Sequence, residues 1–251
     1  MRYFLKLSFL GAPFHGWQSQ PNAVSVQQTI EEALAKILRV PTPIVGAGRT
    51  DTGVNARTMF AHFDTASPIA DPGRFLASAN HLCGRAISLE SLIPVADDAH
   101  ARFDATRRTY RYFVTTEKSP FLSPLSWQSP APLDTEAMNR AAAILTETDD
   151  FTSFAKLHSD AKTNICRVDE ARWDPWTNDF GVPGIVFTIS ADRFLRNMVR
   201  AVVGTLVEVG RGKLSEEGFR RIIDSRDRCA AGTSMPPQAL FLWNVEYPYI
   251  P

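Results

Sequence analysis

The sequence predicts an α+β fold with antiparallel or mixed sheets. Segments that alternate apolar and polar residues, as half-buried strands do, are interspersed with segments whose apolar residues recur every three to four positions, as in amphipathic helices. Both kinds occur throughout the chain, without the regular strand–helix–strand spacing of a parallel sheet. With 251 residues, of which 44% are hydrophobic, the chain is long enough for two modest domains, which we place at 1–105 and 106–251.

Strands and helices of the first domain follow from local patterns. Strands are predicted at 2–10, 58–65 and 86–95, with a short strand entering the glycine-rich segment at 45–56. Ser25, with Gln28 three residues later, forms a capping-box pattern and predicts that a helix begins there. Asp71 followed by Pro72 predicts the start of a second helix.

The second domain repeats the mixture of strands and helices. Strands are predicted at 108–116, 166–174, 184–190 and 240–247, and helices at 134–145, at 193–210 and after Ser215. The helix at 193–210 has a wide apolar stripe, which we assign to the core. Arg196 and Arg200 are one helical turn apart at its edge, so this cationic face either points into a cleft or meets water.

Composition limits the possible partners and compartments. The chain has 27 basic and 27 acidic residues, so a nucleic-acid site would require local segregation of charge. Cys83, Cys166 and Cys229 are too few and too far apart for a disulfide framework or a zinc site, which favours a reducing, cytoplasmic location. The first residues have the pattern of a strand rather than a signal peptide, and no apolar run reaches the length of about 18 residues that predicts a membrane helix.

The segment VGAGRTDTGVNA, 45–56, is the first candidate site. It lacks the lysine of a phosphate-binding Walker loop, and Asp51 stands where a dinucleotide fingerprint needs its third glycine. Its residues suit a plain turn with a surface aspartate. They also suit a reactive carboxylate, because small neighbours allow close approach by a substrate and Arg49 can keep Asp51 ionised as a nucleophile or base.

A metal site is not expected. The histidines lack the spacing of metal ligands, and we expect each of them to be structural or on the surface. These are His15, His62, His81, His100 and His158.

A second candidate is the basic and aromatic stretch at 100–112, HARFDATRRTYRY. Arg102, Arg107, Arg108 and Arg111 alternate there with Tyr110 and Tyr112. Such residues pair with phosphates and stack on bases, although a solvated basic strand with its tyrosines in a core has the same pattern.

Eight motifs, taken together and in this order, resemble the tRNA pseudouridine synthase A family. They are GWQ (16–18), SVQ (25–27), GRTDTGV (48–54), HARFDA (100–105), TYRY (109–112), DFTSF (150–154), FLRNMVR (194–200) and LFLWNVEY (240–247). The resemblance implies the pseudouridine synthase fold, with two α+β halves flanking a basic cleft. It also implies a homodimeric enzyme that needs no cofactor and isomerises uridine to pseudouridine at positions 38–40 of the tRNA anticodon stem-loop.

The same resemblance implies roles for particular residues. Asp51 matches the nucleophile, and Arg49 the arginine that helps to displace the target base. Tyr110 matches the tyrosine that stacks on the uracil, Arg200 the arginine that pairs with the catalytic carboxylate, and Leu240 an apolar contact in the uracil pocket. Contacts with the RNA backbone are expected from the arginines of the basic segments, which are Arg102, Arg107, Arg108 and Arg196.

Four positions depart from the family pattern, and they keep other functions open. They are Leu10, Thr52, Asn55 and Ala239. One alternative is a catalytically silent tRNA-binding or RNA-chaperone protein; another is a magnesium-dependent phosphoryl-transfer enzyme that uses Asp51. Within the isomerase hypothesis, attack by Asp51 on C1′ of the ribose or on C6 of the base is equally compatible with the sequence.

Overall fold

The computed structural model describes residues 1–156 and 162–250 of the chain. Within these residues the protein has five α-helices and nine β-strands, which confirms the predicted α+β class. The β1–β3, β1–β4, β2–β3, β5–β8 and β7–β8 pairs are antiparallel and the short β5–β6 pair is parallel, so the pairing is mixed. The chain divides into two compact units: unit 1 comprises Met1–Thr106 together with the segment from Leu242 onwards, and unit 2 comprises Arg107–Phe241.

Unit 1 is built on an antiparallel sheet in the order β4-β1-β3, with β9 next to β3 and β2 paired with β3. Two helices belong to the same unit, and Ile30 and Leu34 of the first helix are completely buried. Its elements are β1 (Arg2–Phe9), α1 (Val26–Leu38), β2 (Val45–Gly46), β3 (Asn55–Asp64), α2 (Pro72–Cys83) and β4 (Ile87–Val95).

Unit 2 has an antiparallel sheet in the order β5-β8-β7, and the short β6 runs parallel to β5. Its elements are β5 (Arg107–Thr115), β6 (Trp127–Gln128), α3 (Thr135–Ala143), β7 (Val168–Trp176), β8 (Gly184–Ala191), α4 (Met198–Gly210) and α5 (Glu216–Ser225), and β9 (Leu240–Glu246) begins in this unit.

Helix starts that depend on a neighbouring side chain follow the sequence prediction. The Ser25 hydroxyl accepts a hydrogen bond from the Gln28 N–H at 3.2 Å, and Asp71 accepts one from the Arg74 N–H at 2.9 Å. Ser215 caps α5 in the same way, by accepting from the Gly218 N–H at 3.0 Å. Each cap satisfies a backbone donor that the first helical turn leaves unpaired.

The predicted helix at 193–210 is wrong in its first five residues. Asn197 has a left-handed backbone, with φ of 66°, and α4 begins only after it, at Met198. Arg196 therefore precedes the helix and does not share a helical face with Arg200. The assignment of the apolar stripe to the core is confirmed, because most of α4 is buried and Arg200 and Glu208 are its only charged residues.

The remaining features concern the membrane and the cysteines. Among the helices of the described residues, none is long and apolar enough to cross a membrane. Even α4, which is almost wholly buried, has 13 residues, whereas a membrane span needs about 20. The thiols of Cys83, Cys166 and Cys229 are not joined in disulfides.

Candidate active site

Asp51 is the first residue of a tight turn in unit 1. The Val54 N–H donates to the Asp51 carbonyl at 3.1 Å, and Gly53 has a φ of 78°. A positive φ at the third residue is what a type II turn requires, and glycine adopts it without strain. Asp51 is half-buried, and Arg49 and Thr52 on either side are exposed. The predicted turn is thus confirmed, and it leaves Asp51 partly accessible.

Gly16 and Trp17 contact the backbone just before this turn. The Trp17 N–H donates to the Thr50 carbonyl at 3.2 Å. Gly16 has a φ of 91°, and a Cβ at this position would lie 2.6 Å from the same carbonyl oxygen. The GWQ motif therefore serves as a backbone support for the residue that precedes Asp51.

The glycines of the segment do not share one role. We expected them to form a small-residue frame through which a nucleotide reaches Asp51. Gly46 does not fit this expectation, because a Cβ there would lie 2.5 Å from the indole ring of the buried Trp17. No atom lies within 4 Å of a Cβ placed on Gly48. Of Gly46 and Gly48, therefore, only Gly48 has open space beside it.

Asn55 fastens the other end of the turn to the end of β1. Its buried Oδ1 accepts a hydrogen bond from the Gly11 N–H at 2.8 Å. Gly11 approaches so closely that a Cβ would lie 2.2 Å from the Val54 carbonyl oxygen. Asn55, which departs from the usual family residue, thus has a structural role. Leu10 is exposed, and its N–H donates to the Ala86 carbonyl at 2.9 Å.

A histidine pair in unit 1 supports the HARFDA segment. The buried His62 accepts the Ala101 N–H on Nδ1 at 3.1 Å, and its ring lies 4.7 Å from that of His100. His100 in turn accepts the N–H groups of Arg102 and Phe103 at 3.1 and 3.2 Å. Burial, followed by the charges of Arg2 and His100, lowers the pKa of His62 to about 4. His62 is therefore neutral at pH 7 and has a structural role, as expected.

Tyr110 lies in the middle of β5, in unit 2. It pairs with Ile189 of β8, and its ring meets the ring of Phe194 edge to face at a centroid distance of 5.0 Å. Tyr110 is half-buried, whereas Tyr112 on the same strand is fully buried and donates its hydroxyl to the Pro236 carbonyl at 3.1 Å. Of the two tyrosines, Tyr110 is thus the one that retains accessible surface.

Arg200 lies in the first turn of α4, in the same unit. Its Nε donates to the Met235 carbonyl at 2.5 Å, and the Met235 N–H donates to the Arg200 carbonyl at 3.1 Å. Leu240, the first residue of β9, is buried, and the preceding Ala239 is completely buried at the end of a short 3-10 turn. The small side chain of Ala239 is therefore part of the core of this unit.

The arginines predicted to contact RNA have different surroundings. The Arg107 Nη2 lies 3.2 Å from the Glu170 Oε2, and its Nε lies 3.8 Å from the Asp169 Oδ2. A phosphate would therefore compete with two carboxylates for the Arg107 guanidinium. Arg108 donates to the Asp192 carbonyl at 2.8 Å. The Arg102 guanidinium lies over the exposed ring of Phe103, and Arg196 is exposed.

No trio of histidine, cysteine, aspartate or glutamate side chains within 1–156 and 162–250 is arranged to hold a metal ion. Of the other histidines, His15 and His81 are exposed, and His158 lies outside the described residues.

Comparison with known proteins decides the family. A family model described as tRNA pseudouridine synthase matches residues 141–248. The tRNA pseudouridine synthase A of Parabacteroides distasonis is 55% identical over 251 residues, covering 98% of this chain and 96% of that protein. The enzymes of the same name from Bacteroides fragilis and Bacteroides thetaiotaomicron are 52% and 53% identical, again over 98% of this chain and over 96% and 91% of their own lengths.

This chain belongs to the tRNA pseudouridine synthase A family. Membership makes it an enzyme of the isomerase class. It also confirms the resemblance that the eight motifs indicated, since the similarity extends over nearly the whole chain.

In each unit, several residues that support the candidate site residues were not assigned a role from the sequence. The sequence placed Trp17 only within the GWQ motif and Asn55 only among the departures from the family pattern. Met235 binds Arg200 and Ser234 binds Asn197, and the two residues of each pair are too far apart in the sequence for a local pattern to connect them.

Proposed function

We propose that this protein converts uridine to pseudouridine at positions 38–40 in the anticodon stem-loop of tRNA, with Asp51 as the nucleophile. The observation that carries the proposal is the similarity to tRNA pseudouridine synthase A over 98% of the chain, which includes the GRTD segment. The geometry of unit 1 supports it, because Asp51 is fixed at the start of a turn and is only half-buried.

The proposed reaction is an isomerisation. The N1–C1′ glycosidic bond breaks, the uracil turns, and a C5–C1′ bond forms; the C5 proton leaves and N1 gains a proton. No electrons or groups are exchanged with another molecule, so we propose that no cofactor takes part. The carboxylate of Asp51 holds one fragment during the exchange, by attack on C1′ or on C6.

Further residues act on the same nucleotide in this proposal. The target uridine has to leave its stack, which costs a few kcal/mol. Arg49 helps to displace the base, Tyr110 stacks on the uracil and Leu240 contacts it. Arg200 pairs with the carboxylate of Asp51. The half-buried ring of Tyr110 supports its stacking role.

The same proposal covers the partners and the location of the enzyme. The arginines Arg102, Arg107, Arg108 and Arg196 contact the tRNA backbone. We propose the pseudouridine synthase fold, in which two α+β sub-domains flank a basic cleft for RNA, and an active enzyme that is a homodimer in the cytoplasm. The fold and the homodimer rest on the family resemblance, the arginine contacts also on the clustering of basic residues, and the location on the cysteine content of the sequence.

Incubation with unmodified tRNA tests the function. Three transcripts are treated with the enzyme, each with a uridine at only one of positions 38, 39 and 40. The location of pseudouridine in each is then mapped at single-nucleotide resolution. Product at these positions is the expected result. Tight binding without product would favour the silent RNA-binding alternative, and product that requires magnesium for chemistry rather than for tRNA folding would argue against the proposed mechanism.

A further inference from the structure

A strap of residues 228–236 lies along the first half of α4 in unit 2, and hydrogen bonds hold it there. The Gly232 N–H donates to the Thr205 hydroxyl at 2.9 Å. The Met235 N–H donates to the Arg200 carbonyl at 3.1 Å. The next residue, Pro236, accepts the hydroxyl of Tyr112 from β5. The strap is therefore tied both to the helix and to the sheet of the unit.

Two glycines let the strap approach the helix backbone directly. A Cβ at Gly204 would lie 1.9 Å from the Thr233 carbonyl oxygen, and a Cβ at Gly232 would lie 2.9 Å from the Gly204 carbonyl carbon. Neither position has room for a larger residue without movement of backbone. The strap and the helix are thus in direct backbone contact at these two glycines.

Ser234 binds one side chain from the residue before α4 and one from the strap itself. Its hydroxyl accepts the Asn197 Nδ2 at 2.6 Å and the Arg228 Nη2 at 2.9 Å. Arg228 also donates to the Gly232 carbonyl at 3.3 Å, within the strap itself. Asn197 adopts a left-handed backbone, which asparagine tolerates better than most residues. In this conformation its side-chain amide reaches the strap.

Met235, the next residue, transmits this arrangement to Arg200. The Met235 carbonyl accepts the Arg200 Nε at 2.5 Å, a charge-assisted hydrogen bond. Because the guanidinium is planar and rigid, a fixed Nε sets the direction in which its two terminal nitrogen atoms point. The position of the Met235 carbonyl therefore contributes to how Arg200 is presented.

We propose that Ser234 is a positioning residue for Arg200. By binding Asn197 and Arg228, its hydroxyl holds the strap so that the Met235 carbonyl orients the guanidinium for its charged partner in the reaction. This inference rests on the proposed role of Arg200 in pseudouridine formation. A shift of about 1 Å in a positioning group can reduce catalysis a hundredfold, so the loss of one of several ties has a measurable effect.

Ser234→Ala and Ser234→Thr form the primary test. Threonine keeps the hydroxyl, so it should restore what alanine loses. In single-turnover assays on tRNA we expect Ser234→Ala to slow product formation about tenfold, with the Kd for tRNA within twofold of wild type, and Ser234→Thr to stay within twofold in both. An unchanged rate in Ser234→Ala, or an equal loss in Ser234→Thr, would overturn the proposal.

A double variant separates positioning from general stability. In an Arg200→Ala background, Ser234→Ala should cause no further loss of rate, because the group that it positions is gone. A further tenfold loss in that background would show that Ser234 acts independently of Arg200. Asn197→Gly keeps the left-handed backbone and removes the amide, so it should lose as much rate as Ser234→Ala.

A readout without turnover keeps the inference separate from the proposed function. In the NMR spectrum of the wild-type protein, the Arg200 Nε–H should exchange slowly with water; in Ser234→Ala it should exchange at least tenfold faster, and in Ser234→Thr it should not. Equal protection in all three proteins would refute the positioning role. Absence of pseudouridine from the wild-type reaction would refute the proposed function, whatever the NMR result.

Discussion

Gly16 and Thr50 meet backbone to backbone: a Cβ on Gly16 would lie 2.6 Å from the carbonyl oxygen of Thr50. The Trp17 N–H binds the same carbonyl at 3.2 Å. Thr50 directly precedes Asp51, so the position of the proposed nucleophile depends on a residue 35 positions earlier that has no side chain. This contact connects the GWQ and GRTD motifs physically.

Gly16→Ala tests this support. A left-handed φ costs alanine about 1 kcal/mol relative to glycine, and the clash with Thr50 adds to it. We expect the free energy of unfolding to fall by about 2–3 kcal/mol and turnover to fall with it. Gly181→Ala is the matched control, since Gly181 has a φ of 67° with nothing within 4 Å of its would-be Cβ. Equal effects of both variants on stability and turnover would mean that the contact with Thr50 is unimportant.

Asn55→Ala tests the other end of the turn. The change leaves the buried N–H of Gly11 without its partner at 2.8 Å, which costs about 1–3 kcal/mol in the free energy of unfolding. Asn244→Ala removes an amide from a half-buried position on β9 and serves as the control. Urea denaturation measures both variants, and a cost for Asn55→Ala no larger than that of the control would contradict the role given to Asn55.

His62 gives a prediction for pH. Its pKa of about 4 in the folded protein lies below the value of 6.5 expected after unfolding. Between these pH values the unfolded chain binds a proton that the folded one does not, so stability contributed by neutral His62 is present above pH 6.5 and is lost as the pH falls towards 4. The slope is at most about 1.4 kcal/mol per pH unit. The charged groups that act on it are Arg2, Asp64, His100 and Asp104.

His62→Asn isolates this contribution. Asparagine can still accept the Ala101 N–H but does not titrate. We expect the free energy of unfolding of the variant to depend less on pH than that of wild type between pH 6.5 and 4.5. Parallel pH profiles for the two proteins would show that the folded protein does not hold His62 neutral.

Arg196→Ala tests the RNA contacts, because Arg196 is exposed. The association constant for tRNA falls as salt is added, and loss of one phosphate contact should make the plot of its logarithm against log salt concentration less steep by about 1. Arg221→Ala, which removes another exposed arginine from α5, should leave the slope unchanged. Arg107→Ala should have a smaller effect than Arg196→Ala, since Glu170 and Asp169 already neutralise Arg107. Salt titrations of tRNA binding compare the variants, and equal slopes in all of them would place the RNA elsewhere.

Local signals in the sequence predicted those parts of the fold that depend on neighbouring residues. Asp71 and Ser215 begin helices because their caps bind N–H groups three residues later. The start of α4 could not be predicted in this way, since Asn197 binds Ser234, 37 positions away. The same holds for the site: Asp51 was found from its motif, whereas its supports at Gly16 and Gly11 depend on the packing of distant backbone segments.

Asp51→Asn tests the central proposal most directly. Asparagine keeps the size of the side chain and removes the carboxylate, so the substrate fragment can no longer form a covalent bond to it. We expect pseudouridine formation in tRNA to fall by at least a thousandfold in single-turnover assays, with tRNA binding within a fewfold of wild type. Asp97→Asn, at an exposed position of the same unit, should react at the wild-type rate. Product formation by Asp51→Asn at that same rate would contradict the assignment of Asp51 as the nucleophile.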